Sequence, residues 1–137
     1  MPQIIKKHGT KMFAIGFIAG LLVFAVMAFN VEHPRKDAPA REIALITKDI
    51  SFRLASQPDT PNPPIHLKKG ETVKLTVLNQ EPGKVLHCFT LGGLGVKTSR
   101  HLATGEWETL TFTPREKGVF SYACLMHPMM TGKIVVE

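Results

Sequence analysis

The hydrophobic pattern changes character twice along the chain. From Met12 to Phe29 the sequence "MFAIGFIAGLLVFAVMAF" is uncharged and apolar on every side. As a helix its 18 residues would reach roughly 27 Å, close to the thickness of a bilayer's hydrocarbon core. From Val31 to Arg41 the chain turns polar and carries Pro34 and Pro39, the composition of a tether. Beyond it the period becomes two: Ile50, Phe52 and Leu54 alternate with Ser51 and Arg53, and Val73, Leu75 and Val77 alternate with Lys74 and Thr76. "HCFTL" places His87, Phe89 and Leu91 on one face. Such alternation predicts half-buried strands.

Turn-forming stretches separate these runs: "QPDTPNPP" at 57–64, "KKGE" at 68–71, "NQEPGK" at 79–84, "GGLG" at 92–95, "ATGE" at 103–106 and "PREKG" at 114–118. Six to eight short strands so spaced predict an all-β antiparallel sandwich or small barrel over residues 42–137. The last three strands are expected at "EWETLTFT", "GVFSYAC" and "GKIVVE", with Cys124–Met130 as the loop between the final two. Trp107, Phe112, Phe120 and Tyr122 are expected in the core. No repeat and no helical period occur outside the amino-terminal segment.

Charge adds a topology. Lys6, Lys7 and Lys11 precede the apolar run and the first acid, Glu32, follows it. By the positive-inside rule this puts the amino terminus in the cytoplasm and everything after Asn30 outside it. Residues 1–30 are therefore expected to be a membrane anchor through residues 12–29, or a signal segment cleaved after "VMA" at 26–28, which leaves a periplasmic protein. Beyond residue 29 the chain holds 14 Lys and Arg against 11 acids, so the exported part is only mildly basic. No basic run with interleaved aromatics points to nucleic acid.

The concentrated chemistry is in "CLMHPMM", Cys124 to Met130. One loop between two strands brings a thiol, an imidazole and three thioethers together, a soft to borderline donor set suited to copper. His87, on an apolar strand just after a Pro-Gly turn, is the candidate for a second nitrogen. Two imidazoles, one thiolate and one thioether make up a blue-copper electron-transfer site, whereas zinc is more often held by Cys and His without Met.

"GVFSYACLMHPMMTGKIVVE" resembles the closing segment of the cupredoxins, and its Cys-x-x-His-x-x-Met spacing is similar to the amicyanin branch of that family. "KKGETVKLTVLNQEPGKVLHCFTL" resembles the segment that carries the family's first copper histidine. The resemblance covers residues 42–137 and implies a Greek-key β-sandwich. It also implies one copper ion held by His87, Cys124, His127 and Met130, with Met129 the competitor for the axial place. Where many cupredoxins have Asn after the first histidine, this chain has Cys88, so the resemblance implies loss of a hydrogen bond that ties the two ligand segments together. Cys88 is open to three readings: a buried free thiol, an oxidation-sensitive neighbour of Cys124, or a metal ligand.

The implied function is single-electron transfer between redox partners that dock near His127, by a monomer with no substrate chemistry of its own. Met126 and Met129 are expected as apolar surface around that edge. Copper handling in the cell envelope is the alternative, favoured by the additional methionines and by Cys88. His33, His66 and His101 read as surface residues and His8 as part of the cytoplasmic flank, so no second cluster supports a catalytic copper.

Overall fold

The computed structural model describes residues 40–137, so the Met12–Phe29 segment and nearly all of the 31–41 tether lie outside it. Nine strands form two sheets. The strands are β1 (Arg41–Thr47), β2 (Phe52–Leu54), β3 (Ile65–Leu67), β4 (Val73–Asn79), β5 (Thr90–Leu91), β6 (Val96–Lys97), β7 (Trp107–Phe112), β8 (Gly118–Cys124) and β9 (His127–Val136). One sheet has the order β2-β1-β4-β7 and the other β3-β9-β8-β5-β6. Among the described residues there is no helix.

The order follows from where apolar positions can be covered. Ile43 and Leu45 of β1 and Val73, Leu75 and Val77 of β4 all turn inward, and β1 pairs parallel with β4 in a register that sets Leu45 opposite Val77. A one-residue slip would turn all of them to solvent. The facing sheet contributes Leu67, Leu91, Tyr122, Ile134 and Val136. Between them Phe52, Phe89 and Tyr122 form an aromatic cluster with ring centroids 5.6–5.7 Å apart. The sheet begins at Arg41, at the edge of the expected tether, where its guanidinium pairs with Glu71 at 3.3 Å.

Five expectations are corrected. The sandwich has nine strands rather than six to eight and is not wholly antiparallel, because β1 runs parallel to β4 and β3 parallel to β9. Trp107 is not core: it is 62% exposed. Leu110 points inward on β7, so the odd-numbered positions of that strand point outward and carry Trp107 with them. Phe112 and Phe120 pack at the core's margin and Tyr122 is fully buried. Ile50 is not in a strand: Asp49 and Ile50 have φ of 52° and 49° at the centre of the turn between β1 and β2, which Lys48 and Ser51 close by exchanging backbone hydrogen bonds. "HCFTL" is paired in β5 only at Thr90–Leu91, and Cys88 is buried together with His87 and Phe89. Finally, Cys124–Met130 is not an open loop, because β9 starts at His127 and leaves only Leu125 and Met126 between the paired strands.

That last difference shapes the site. Along β8 and β9, Ala123 faces Thr131 but Cys124 faces His127, so Pro128, Met129 and Met130 have no partner on β8. The bulge throws these residues out of the ladder, a device that re-aims side chains beside functional centres.

Candidate metal centre

Cys124 ends β8, and the two-residue turn after it folds His127 back beside it. The His127 Nδ1 lies 3.6 Å from Cys124 Sγ. His87 reaches the same sulfur from the other side, its Nδ1 at 3.9 Å. One ligand atom from each of the three residues lies within 4.8 Å of the other two. The imidazole rings stand 4.7 Å apart, centroid to centroid. Met130 is completely buried, while Met129 is 63% and Met126 44% exposed, so the bulge gives the inward place to Met130.

His87 lies outside the regular ladders and is held by a single bridge: its N–H donates to the Leu102 carbonyl at 3.0 Å and its carbonyl accepts from Leu102 N–H at 2.7 Å. That bridge is fixed by Asn79. Its amide Nδ2 donates to the carbonyls of Leu102 and Val85, both at 2.8 Å, and its Oδ1 accepts from the Thr47 hydroxyl and the Glu81 N–H. A buried network satisfied at every member specifies one arrangement.

The far side of the His87 ring meets Glu81. This carboxylate is buried, accepts the Ile50 N–H at 3.0 Å, and stands 3.6 Å from His87 Nε2. Nε2 has no hydrogen-bond partner among the described residues. A carboxylate behind the non-ligating nitrogen orients a ligand imidazole and fixes its tautomer. Burial, and then the neighbouring His127, hold the His87 pKa below its ordinary value against the opposing pull of Glu81. The ring is thus kept neutral, the form that coordinates a metal.

Asn79 and Glu81 both fell in the "NQEPGK" stretch read only as a turn. A signal was available: Val73, Leu75, Val77, Asn79 and Glu81 share one parity, so the inward face of β4 runs straight on into two polar residues with no apolar reason to be there.

Cys88 sits against the ligand sulfur. Its N–H donates to Cys124 Sγ at 3.4 Å, its own Sγ accepts the Leu125 N–H at 3.3 Å, and the two sulfurs are 3.7 Å apart. The tie between the ligand segments is therefore kept with sulfur as its acceptor, contrary to the expectation from the missing Asn. Burial pushes the Cys88 thiol up, against the N–H groups of Leu125 and Met126. Cys88 is not part of the three-residue cluster. His66 and His101 are both exposed, as expected.

A sequence model described as the cupredoxin-like domain matches residues 21–136. The chain belongs to the cupredoxin family. Amicyanin of Paracoccus denitrificans is 35% identical over 75 residues, 55% of this chain and 56% of that protein, so the match spans little more than half of the relative's length. A copper-binding protein solved in solution in its apo form is 28% identical, with a TM-score of 0.56 over 75% of this chain and 93% of that one. Rusticyanin of Thiobacillus ferrooxidans, at 20% identity, shares the fold with a TM-score of 0.59 over 74% of this chain and 79% of its own. Cupredoxins are copper-binding electron-transfer proteins, and His87, Cys124, His127 and Met130 of this cupredoxin are disposed as a type 1 copper site.

Proposed function

We propose that this cupredoxin holds one copper ion through His87 Nδ1, Cys124 Sγ, His127 Nδ1 and Met130, and carries single electrons between protein partners. The observation that carries the reading is the convergence of two imidazole Nδ1 atoms on one thiol sulfur, at 3.6 and 3.9 Å, beside a fully buried methionine. When bound, copper supplies the one-electron couple between its two oxidation states. The protein supplies a donor set already assembled from strand ends, so little has to move when the charge changes. His87 is sealed inside, whereas His127 is partly exposed and flanked by Leu125, Met126 and Met129, all exposed. That apolar rim suits docking of a redox partner at the His127 edge. We further propose that the chain acts as a monomer outside the cytoplasm, tethered through residues 12–29 or released by cleavage near residue 28. The mass of the mature native chain distinguishes those two forms.

Copper handling in the cell envelope is a second reading, favoured by the Cys88 sulfur beside the ligand thiol and by the exposed Met126 and Met129. One experiment separates them. Copper(II) is added to the purified, reduced full chain, and visible absorption and electron paramagnetic resonance spectra are recorded. An intense thiolate-to-copper band with narrow hyperfine splitting, absent in Cys124→Ser, supports electron carriage. A colourless protein that passes copper quickly to a chelator overturns it in favour of handling.

A further inference from the structure

The sequence has two cysteines, and the fold brings them together. Their Sγ atoms stand 3.7 Å apart, both thiols are free, and each sulfur accepts one backbone N–H from the other's segment. That separation is close to the ~3–3.5 Å of a near-attack geometry. The two differ in access. Cys124 is 1% exposed and Cys88 6%, and Cys88 alone of the pair lines an open cleft of about 370 Å³, together with Thr90, Lys97, Thr98, Arg100 and Leu125 among others. A small molecule therefore meets Cys88 first.

We propose that the copper-free chain is a dithiol oxidised by small disulfides to a Cys88–Cys124 disulfide, and that this bond shuts the metal site until a thiol reopens it. This rests on the reading of Cys124 as a copper ligand. The exchange proceeds in two steps. Cys88 gives up its proton and its thiolate attacks one sulfur of a disulfide RSSR; that S–S bond breaks and RS⁻ leaves and takes up a proton. The Cys88–S–S–R mixed disulfide holds R in the cleft. Cys124, losing its proton in turn, attacks Cys88 Sγ, the mixed bond breaks, and a second RSH departs. The two protein thiols lose two electrons and two protons, and RSSR becomes two RSH. Thiol–disulfide exchange of this kind runs backward with excess RSH.

The consequence is specific to this chain. Cys124 cannot offer a thiolate to copper while bonded to Cys88, so the oxidised form is closed to loading. Copper in turn occupies the sulfur that resolves the mixed disulfide, so the loaded form is protected. Cys88 thus makes uptake conditional on reduction, which an Asn at that position would not do.

The test uses the purified full chain, reduced and metal-free. It is incubated with excess glutathione disulfide, denatured, alkylated and mapped by mass spectrometry. The expected result is a chain two hydrogens lighter, with both cysteines protected from alkylation and a peptide linking Cys88 to Cys124. Cys124→Ala should instead accumulate a stable glutathione adduct on Cys88, and Cys88→Ala should react at least tenfold more slowly. The oxidised chain should take up at least tenfold less copper than the reduced one, with recovery after dithiothreitol. Two freely alkylated thiols after long exposure, or a glutathione adduct on the unmodified sequence that never resolves, overturns the proposal. The thiol readout needs no metal. A reduced chain that forms the disulfide yet gives no coloured copper adduct counts against the copper reading and leaves the dithiol couple standing.

Discussion

Glu81 Oε2 lies 3.6 Å from Nε2 of His87, on the ring edge opposite the one that faces Cys124. The carboxylate is itself held by the Ile50 N–H, from a turn in which a β-branched residue sits at φ 49°. Left-handed backbone at isoleucine is strained, and such strain persists where surrounding contacts over-determine it. Here the contact fixed by the turn is the one that steadies a metal-facing imidazole.

Removing that carboxylate should therefore weaken copper binding without touching a ligand. Glu81→Ala leaves His87 free to tilt and to change tautomer, and loss of such an orienting partner typically costs about 10–100-fold in metal affinity. Chelator competition for copper(II) checks it. Affinity within twofold of the original, with the fold intact by circular dichroism, would show that packing alone positions the ring.

Asn79 governs stability more than affinity. Replacing it with Leu keeps its bulk but strands the Val85 carbonyl, the Thr47 hydroxyl and the Glu81 N–H, and leaves the Leu102 carbonyl with the His87 N–H alone. We expect a loss of about 2–4 kcal/mol in urea denaturation of the copper-free protein. Because Leu102 carries the bridge to His87, the same change should broaden the His87 ring signals in nuclear magnetic resonance spectra.

His87 also gives the copper-free protein a pH dependence of known sign. Its pKa in the fold is below its ordinary value, so as pH falls through about 6.5 the unfolded chain gains a proton there before the folded one does. Stability from this site is complete above that pH and is lost as pH falls toward the lowered value, with a slope of at most ~1.4 kcal/mol per pH unit. Denaturant midpoints between pH 7.5 and 5 should fall more steeply for the original chain than for His87→Gln. Parallel curves would remove His87 as the cause.

The alternation of Val73, Leu75 and Val77 and the composition of Cys124–Met130 made the sandwich and its donor set legible, because period-two burial and soft donors are properties of single residues. The choice of Met130 over Met129 came from the Cys-x-x-His-x-x-Met resemblance, but its structural cause was not legible. It follows from a three-residue bulge opposite β8, whose register depends on how Cys124 pairs with His127. Trp107 was misread for a related reason: a large aromatic at a strand's first residue says nothing about parity until Leu110 fixes which face is in. Cys88 is the buried free thiol of one expected reading, but the tie implied to be lost with the missing Asn is kept, because a sulfur can take the Leu125 N–H as an oxygen would. Glu81 was missed because a turn composition concealed a residue on the inward parity.

The "GK" that opens the final run has a steric explanation that leads to a last prediction. Gly132 pairs with Tyr122 across β8 and β9, and the Tyr122 ring lies over the bare Cα on its way to donate its hydroxyl to the Pro63 carbonyl at 2.7 Å. A Cβ at position 132 would overlap Cζ and the hydroxyl oxygen of that ring and stand 2.7 Å from Cε1. The ring cannot yield easily, being fully buried against Phe52 and Phe89. Gly132→Ala should therefore destabilise the copper-free protein by about 1–3 kcal/mol through overpacking. For a domain of this size that lowers Tm by roughly 4–8 °C for each kcal/mol. If the clash is the cause, the cost should largely vanish when Tyr122→Leu is already present, giving a coupling of about 1 kcal/mol or more in a double-mutant cycle. Additive losses would instead place the effect in the backbone of β9 and leave Tyr122 out of it.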